Sequence, residues 1–329
     1  MNPTHLPPNH CRSPQGLAPA LVLLALCLLA IPEAASAQGR RLPDSIEARI
    51  DQPYANTDNP RQQLDILLPK KRTSDKPLPV VAFIHGGGWR NGDKAGGRRR
   101  VAPFVESGQF VGVSIGYRLS GEATWPAQIH DCKAAIRWLK ANAGSLGIDP
   151  DRIGVMGSSA GGHLVAMLGT SGDVADLEGK LGSHTSISSR VACVVDEFGP
   201  TNFLTMNDFP SRIDHLSATS PESLLIGGQI TEHKHKVRHA SSLTYVSKDD
   251  HPFLIVHGTN DPLVPYNQSK VLEAALRKAG VSVTLQTITA GEHGGFRSPE
   301  LDRRTRLFFE KHLLGKDVDI PHTPLAVGE

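Results

Sequence analysis

Residues 154–164, GVMGSSAGGHL, constrain this chain more than any other stretch. Ahead of them DRIGVMG is short, apolar and β-prone, and behind them AGGHLVAMLGT is apolar with helical spacing. A Gly-Ser cluster alone reads as a loop; between these two runs it reads as a strand-to-helix turn. Aligned to G-x-S-x-G, it supplies Gly157, Ser159 and Gly161, with Ser158 at a variable position. So tight a turn predicts glycine at both flanks, where a Cβ would collide with the adjoining strand and helix. It leaves Ser159 at the apex, clear of the sheet.

The rest of the chain supplies the layers such a turn requires. IEARIDQPYA and QQLDILLPK alternate and read as an antiparallel start. PLPVVAFIHGGGW and GQFVGVSIGYR are continuous apolar runs, the mark of strands covered on both faces; residues 153–156 read as a further strand, and VACVVDEFG, PFLIVHG and VSVTLQTIT as three more of the buried type. Helical patterns lie between them: PAQIHDCKAAIRWLKANAGSLG opens on a proline and closes on glycines, and NQSKVLEAALRKAG and PELDRRTRLFFEKHLLG are amphipathic. The alternation predicts an α/β fold: a mostly parallel eight-stranded sheet with an antiparallel start and helices on both faces, as one domain over residues 38–314. Residues 201–248 are the longest insertion, placed where a substrate cap can sit, and residues 315–329 read as a loose tail.

Residues 1–37 read as a signal peptide. Arg12 precedes LAPALVLLALCLLAI, and AASA offers small residues at Ala35 and Ala37, so the mature chain is expected to start near Gln38 in the periplasm or outside the cell. The apolar run is short for a membrane span and no second one follows, so no stable membrane insertion is expected. Cys11 and Cys27 leave with this segment, and Cys132 and Cys193 are expected as buried free thiols. The formal net charge of +2 gives no reason to expect a nucleic-acid partner. The basic runs GRRR and HKHKVRH read as solvated helix faces; the second has an H-x-H pair but no third ligand, so no metal is expected. Nothing in the sequence fixes an oligomeric state.

Ligands of open α/β sheets gather beyond the carboxyl ends of the strands. Those ends carry HGGGW (residues 85–89), GSSAGG, TNDPLVP with Asp261, and AGEHGGF with His293. A serine hydroxyl is a weak nucleophile until a base takes its proton; His293 can do so once Asp261 fixes its tautomer. The oxyanion then needs donors, which the N–H groups of Ala160, Gly87 and Gly88 can supply. G-x-S-x-G alone arises by chance in roughly one chain of this length in ten; all four segments in order, each at a strand end, leave little room for chance. Glu292 adjoins His293 but neighbours on a loop rarely face each other, so Asp261 is the expected acid. His85 is expected to brace the glycine loop, and Trp89, which follows that loop, is a candidate pocket wall together with Tyr117.

With these segments the chain resembles the α/β-hydrolase superfamily. HGGGW plus GSSAGG is similar to the hormone-sensitive-lipase-like esterases. YRLSGEATWPAQIHDCKAAIRWL, VVDEFGPTNF and SSLTYVSKDDHPFLIVHGTNDPLVP are closer to exported bacterial enzymes grouped as bifunctional acetyl-xylan and feruloyl esterases. The resemblance implies Ser159, Asp261 and His293 as the triad, Gly87, Gly88 and Ala160 as oxyanion donors, and no cofactor. Two positions depart from the group: Asn202 where GPTD is commoner, and Glu197 where an apolar or aromatic residue is usual, so Asn202 joins the pocket candidates.

The expected function is therefore a serine carboxylesterase for short acyl or aryl esters, with a small ester or acylated polysaccharide as partner. A prolyl-oligopeptidase-like serine peptidase is the alternative; HGTNDPLVP suits it, but no propeller-sized domain precedes and the glycine triplet replaces the usual tyrosine donor. A binding protein on the same fold tends to lose the serine or histidine, and this chain keeps both. No large apolar lid is visible, which disfavours a long-chain lipase.

Overall fold

The computed structural model describes residues 42–172 and 174–329; the expected signal peptide, residues 1–37, lies outside them. The chain opens with β1 (Ile46–Pro53) and β2 (Gln63–Pro69), then β3 (Leu78–Ile84), α1 (Lys94–Glu106), β4 (Val111–Ile115), α2 (Ala127–Ala141) and α3 (Ala143–Leu146). It continues through β5 (Ile148–Ser158), α4 (Ala160–Thr170), α5 (Ala175–Glu178) and β6 (Cys193–Glu197). The inserted segment contributes α6 (Pro221–Ile226) and α7 (Lys234–His239). The last elements are β7 (Phe253–Gly258), α8 (Asn267–Ala279), β8 (Val283–Thr289), α9 (Pro299–Leu314) and β9 (Leu325–Ala326).

The strands form one sheet in the order β1-β2-β4-β3-β5-β6-β7-β8-β9. β2 runs antiparallel to both β1 and β4, and every later pair is parallel. The continuous apolar runs are explained by what covers them. Val80, Ala82 and Ile84 of β3 face one core, shared with Ile129 and Ile136 of α2 and Leu164 and Leu168 of α4. Val81 and Phe83 face the other, shared with Val101 and Phe104 of α1 and Phe308 and Phe309 of α9. Side chains alternate across a strand, so a strand with helices on both faces needs apolar residues at every position. Each fully buried large aliphatic or aromatic side chain contributes about 1.5–3 kcal/mol. Cys132 and Cys193 are free thiols, each buried in one of these two cores.

Among the described residues the sheet has nine strands, not eight, and the tail after Leu314 is not loose throughout. Leu325 and Ala326 pair with Ile288 and Thr289, and Leu325 is buried. Side chains hold the segment leading there: Arg304 and Gln286 both donate to the Thr323 carbonyl, at 2.6 and 3.0 Å. A two-residue strand tied down by distant side chains leaves no periodicity to read. Among the described residues no helix is long and apolar enough to cross a membrane.

Candidate active site

Ser159 joins β5 to α4 with φ 55° and ψ −119°. For a residue with a Cβ that conformation costs on the order of 1–3 kcal/mol and persists only where its surroundings enforce it. Here its N–H donates to the Glu197 carbonyl at 2.8 Å and its own carbonyl accepts from the His163 N–H at 3.0 Å. A Cβ on Gly157 would lie 2.4 Å from the Gly161 oxygen, and one on Gly161 2.1 Å from the Ile84 oxygen. Both flanking positions therefore have room only for glycine, as the motif predicts.

β7 and β8 are parallel neighbours, with His257 opposite Thr287 and Gly258 opposite Ile288, so the loops carrying Asp261 and His293 leave adjacent strand ends. The Asn260 N–H ties them by donating to the Gly291 oxygen at 2.9 Å. His293 Nδ1 lies 2.6 Å from Asp261 Oδ2, and His293 Nε2 lies 2.9 Å from Ser159 Oγ. A carboxylate only accepts, so Nδ1 carries the ring proton and Nε2 is free to take the serine proton. The Phe198 ring packs edge-on to the imidazole at 4.7 Å. Glu292 is exposed; Asp261, not its sequence neighbour, is the acid that meets His293.

The Asp261 carboxylate accepts four hydrogen bonds. Oδ1 takes the N–H groups of Leu263 and Val264 at 2.8 and 2.9 Å. Oδ2 takes His293 and also His257 Nε2–H, at 3.1 Å. Burial alone would raise the pKa of this group; the bonds from His257 and His293 outweigh it and hold the carboxyl well below the usual range. His257 is fully buried and its Nδ1 lies 2.7 Å from Ser269 Oγ. Sequence reading missed it. The available signal is a histidine inside a buried run, four residues before the acid.

The glycine loop after β3 runs against the serine turn: a Cβ on Gly86 would lie 2.6 Å from the Ser158 oxygen. The N–H groups of Gly87 and Gly88 donate to no described acceptor. Ala160 opens α4, where first-turn N–H groups have no partner within the helix. The Gly87 carbonyl accepts from Arg90 and Asn91 at 3.1 and 3.0 Å, which closes the loop into a turn. Beneath it the His85 ring stacks on Tyr117 at 4.3 Å, and the Tyr117 hydroxyl donates to the His85 carbonyl at 3.0 Å. Burial lowers the pKa of His85, which favours a neutral ring in this brace.

Two pocket expectations need correction. Tyr117 is wholly buried under His85, and Trp89 is 1% exposed, packed edge-on to His163 at 5.2 Å and against Phe203 at 5.6 Å. Trp89 has φ 56°, and its side chain belongs to the core rather than walling an open site. Asn202 stands half-buried in the loop after β6, where its N–H donates to Gln268 Oε1 at 2.6 Å. The insertion reaches the glycine loop: a Cβ on Gly88 would meet Pro221 Cβ at 3.4 Å, and Trp125 N–H donates to the Leu225 oxygen at 2.8 Å.

Two buried acids end β6. Glu197 forms an ion pair with Arg100. Among the described residues Asp196 has no cationic partner; its Oδ1 accepts from the Gly199 N–H at 2.9 Å, and its Oδ2 has no hydrogen-bond partner there. Burial, with a smaller push from Glu197, raises its pKa to about 7. The folded state then holds a proton that the unfolded chain releases near pH 4, so stability falls as pH rises between about 4 and 7. Asp196→Asn is expected to remove this slope. Urea titrations should show wild type losing stability relative to the variant by on the order of 4 kcal/mol from pH 4 to pH 8. Parallel curves for the two proteins would place the Asp196 proton elsewhere.

Comparison with known proteins follows the same lines. The family model BD-FAE matches residues 64–276. Esterase LipC of Mycobacterium tuberculosis is 33% identical over 225 residues, which cover 67% of this chain and 53% of LipC. The chain thus spans about half the length of the curated relatives it matches. Among solved structures, a truncated carbohydrate esterase from gut microbiota is 34% identical with a TM-score of 0.76, over 82% of this chain and 96% of that one. A bifunctional GH43-CE protein of Bacteroides eggerthii is 34% identical with a TM-score of 0.75, over 80% of this chain and 38% of its own length.

Proposed function

Because the chain belongs to the BD-FAE family and carries the α/β-hydrolase fold, we propose that it is a serine carboxylesterase with Ser159, His293 and Asp261 as its triad. The observation that carries this reading is the continuous relay from Ser159 Oγ to His293 Nε2, 2.9 Å, and from His293 Nδ1 to Asp261 Oδ2, 2.6 Å. Ser159 Oγ attacks the ester carbonyl as His293 Nε2 takes its proton. The carbonyl oxygen becomes an oxyanion, which the N–H groups of Ala160, Gly87 and Gly88 stabilise. His293 returns the proton to the departing alcohol, leaving an acyl-Ser159 ester. Water, deprotonated by the same imidazole, then releases the acid and restores the serine. Asp261 holds His293 in the required tautomer and balances the imidazolium charge.

The alcohol side of the substrate is a sugar of a plant polysaccharide in this reading; its support is the similarity to the carbohydrate esterase from gut microbiota. The relatives reported above are named esterases, which disfavours the peptidase alternative. A panel of p-nitrophenyl esters run beside acetylated xylan and methyl ferulate tests the assignment. Acetyl and butyryl esters should be cleaved, with kcat/KM about tenfold lower at a ten-carbon chain, equivalent to about 1.4 kcal/mol of transition-state stabilisation. Activity that rises through a twelve-carbon chain would contradict the short-chain reading and leave the triad standing. Residues 201–248 act as the cap over this site in the same reading, with the packing of Pro221 near Gly88 as its support.

Export is part of the proposal, resting on the leader-like pattern of residues 1–37. Protein recovered from its host should begin near Gln38. An intact or lipid-bearing N-terminus in intact-mass spectra would contradict it.

A further inference from the structure

Beside the loop that carries Asp261 lies a groove of ≈ 550 Å³. Residues 209–212 of the insertion form one wall, and the loop after β7 with the first turn of α8 forms the other. The walls are tied together: the Arg212 N–H donates to the Pro262 oxygen at 2.7 Å, and Ser211 Oγ donates to the Leu263 oxygen at 3.1 Å. Phe209 is 38% exposed, one of two large hydrophobic side chains in solvent among the described residues. A single exposed ring is ordinary; this one lines a groove that also holds the half-buried Tyr266 ring.

The polar lining has a definite character. The side chains of Asn260 and Asn267 make no hydrogen bond to any described group. Arg212 and Lys270 have no described carboxylate partner, and the Lys270 ammonium sits 5.8 Å from the Tyr266 ring centre. The only acid in the lining is Asp261, whose side chain is buried and already accepts four hydrogen bonds. The groove therefore presents two aromatic surfaces, free amides and two unpaired cations, with no free carboxylate to oppose an anion.

We propose that this groove is a subsite for an oligosaccharide segment bearing a uronate. A pyranose ring offers an apolar C–H face for Phe209 and Tyr266, and hydroxyls that both accept from and donate to the two amides. Its carboxylate meets the Arg212 guanidinium and the Lys270 ammonium, which form charge-assisted bonds stronger than neutral ones. A volume of this size falls within the ordinary range for a small-ligand site. The inference rests on the polysaccharide reading above only in placing the groove on the substrate; binding itself requires no catalysis.

The test uses the full chain with Ser159→Ala, so that nothing is hydrolysed. Calorimetric titration compares a xylo-oligosaccharide carrying a glucuronate branch with the same oligosaccharide unbranched. The branched form should bind about tenfold tighter. The double variant R212Q/K270Q should erase that preference while the unbranched affinity stays, and Phe209→Ala should weaken both. Equal affinity for the two oligosaccharides, or a preference that survives R212Q/K270Q, would overturn the proposal. So would inorganic phosphate competing as well as glucuronate, because the groove would then be a simple anion site. With Ser159 restored, R212Q/K270Q should bring the ratio of kcat/KM on branched to unbranched acetylated oligosaccharide close to one; a ratio that survives the double variant would reject the subsite. Isotherms that hold in a protein without activity on any ester would sink the esterase reading alone.

Discussion

Ser159→Ala should lower kcat for ester hydrolysis by about 10⁵–10⁶-fold, because no other group stands where the acyl enzyme must form. Ser158→Ala should retain most of the activity. The two serines are adjacent in sequence but not in role. Ser158 is the last residue of β5, paired across the sheet with Glu197, whereas Ser159 occupies the left-handed apex and meets His293 Nε2. Removing the Ser159 hydroxyl deletes one part-buried hydrogen bond and leaves the turn's backbone bonds in place, so the thermal midpoint should hold or rise slightly. Strain at φ 55° is a cost the fold already carries for function. Reversed outcomes for the two serines would show that the turn is read in the wrong register.

The second large effect is expected at Asp261. Asp261→Asn should lower kcat by about 10³–10⁴-fold with a smaller change in KM. The pinning of Oδ1 makes the direction unambiguous. Leu263 and Val264 donate their N–H groups to that oxygen, so the amide oxygen of asparagine takes its place. The NH₂ group is then turned toward His293 and His257, both of which donate to Oδ2 in wild type. Facing a donor, His293 Nδ1 must give up its proton, which moves to Nε2, the atom that should receive the serine proton. Glu292→Gln, on an exposed side chain, should matter far less. Near-normal kcat in Asp261→Asn would move the acid elsewhere, with Glu292 first to examine.

What the sequence made legible follows from how much of the physics is local. Strands sandwiched between helices must be largely apolar, so β3, β4 and β7 show as runs, whereas β8, buried only in part, mixes apolar residues with Thr and Gln. The triad shows because each member follows such a run and because Gly157 and Gly161 have no alternative. α1 was visible only as a basic face, since Gly96, Gly97 and Pro103 interrupt its helical pattern. β9 was hidden because its two residues are placed by Arg304 and Gln286, far away in sequence. Trp89 was misread because residue type does not say which way a side chain turns after a left-handed loop, and Tyr117 because only the fold stacks its ring on His85. His257 and Asp196 were missed for a related reason: both sit inside apolar runs, and only the folded neighbours give them meaning.

The central claim is that an acyl group is carried on Ser159. The most direct measurement is stoichiometric labelling with a p-nitrophenyl alkylphosphonate, which traps the attacking oxygen as a stable tetrahedral adduct, followed by peptide mapping. The account predicts one adduct per chain, on Ser159, formed together with complete loss of esterase activity and absent in Ser159→Ala and in His293→Ala. An adduct on Ser158 or on any other residue, or complete inactivation without an adduct on Ser159, would contradict it.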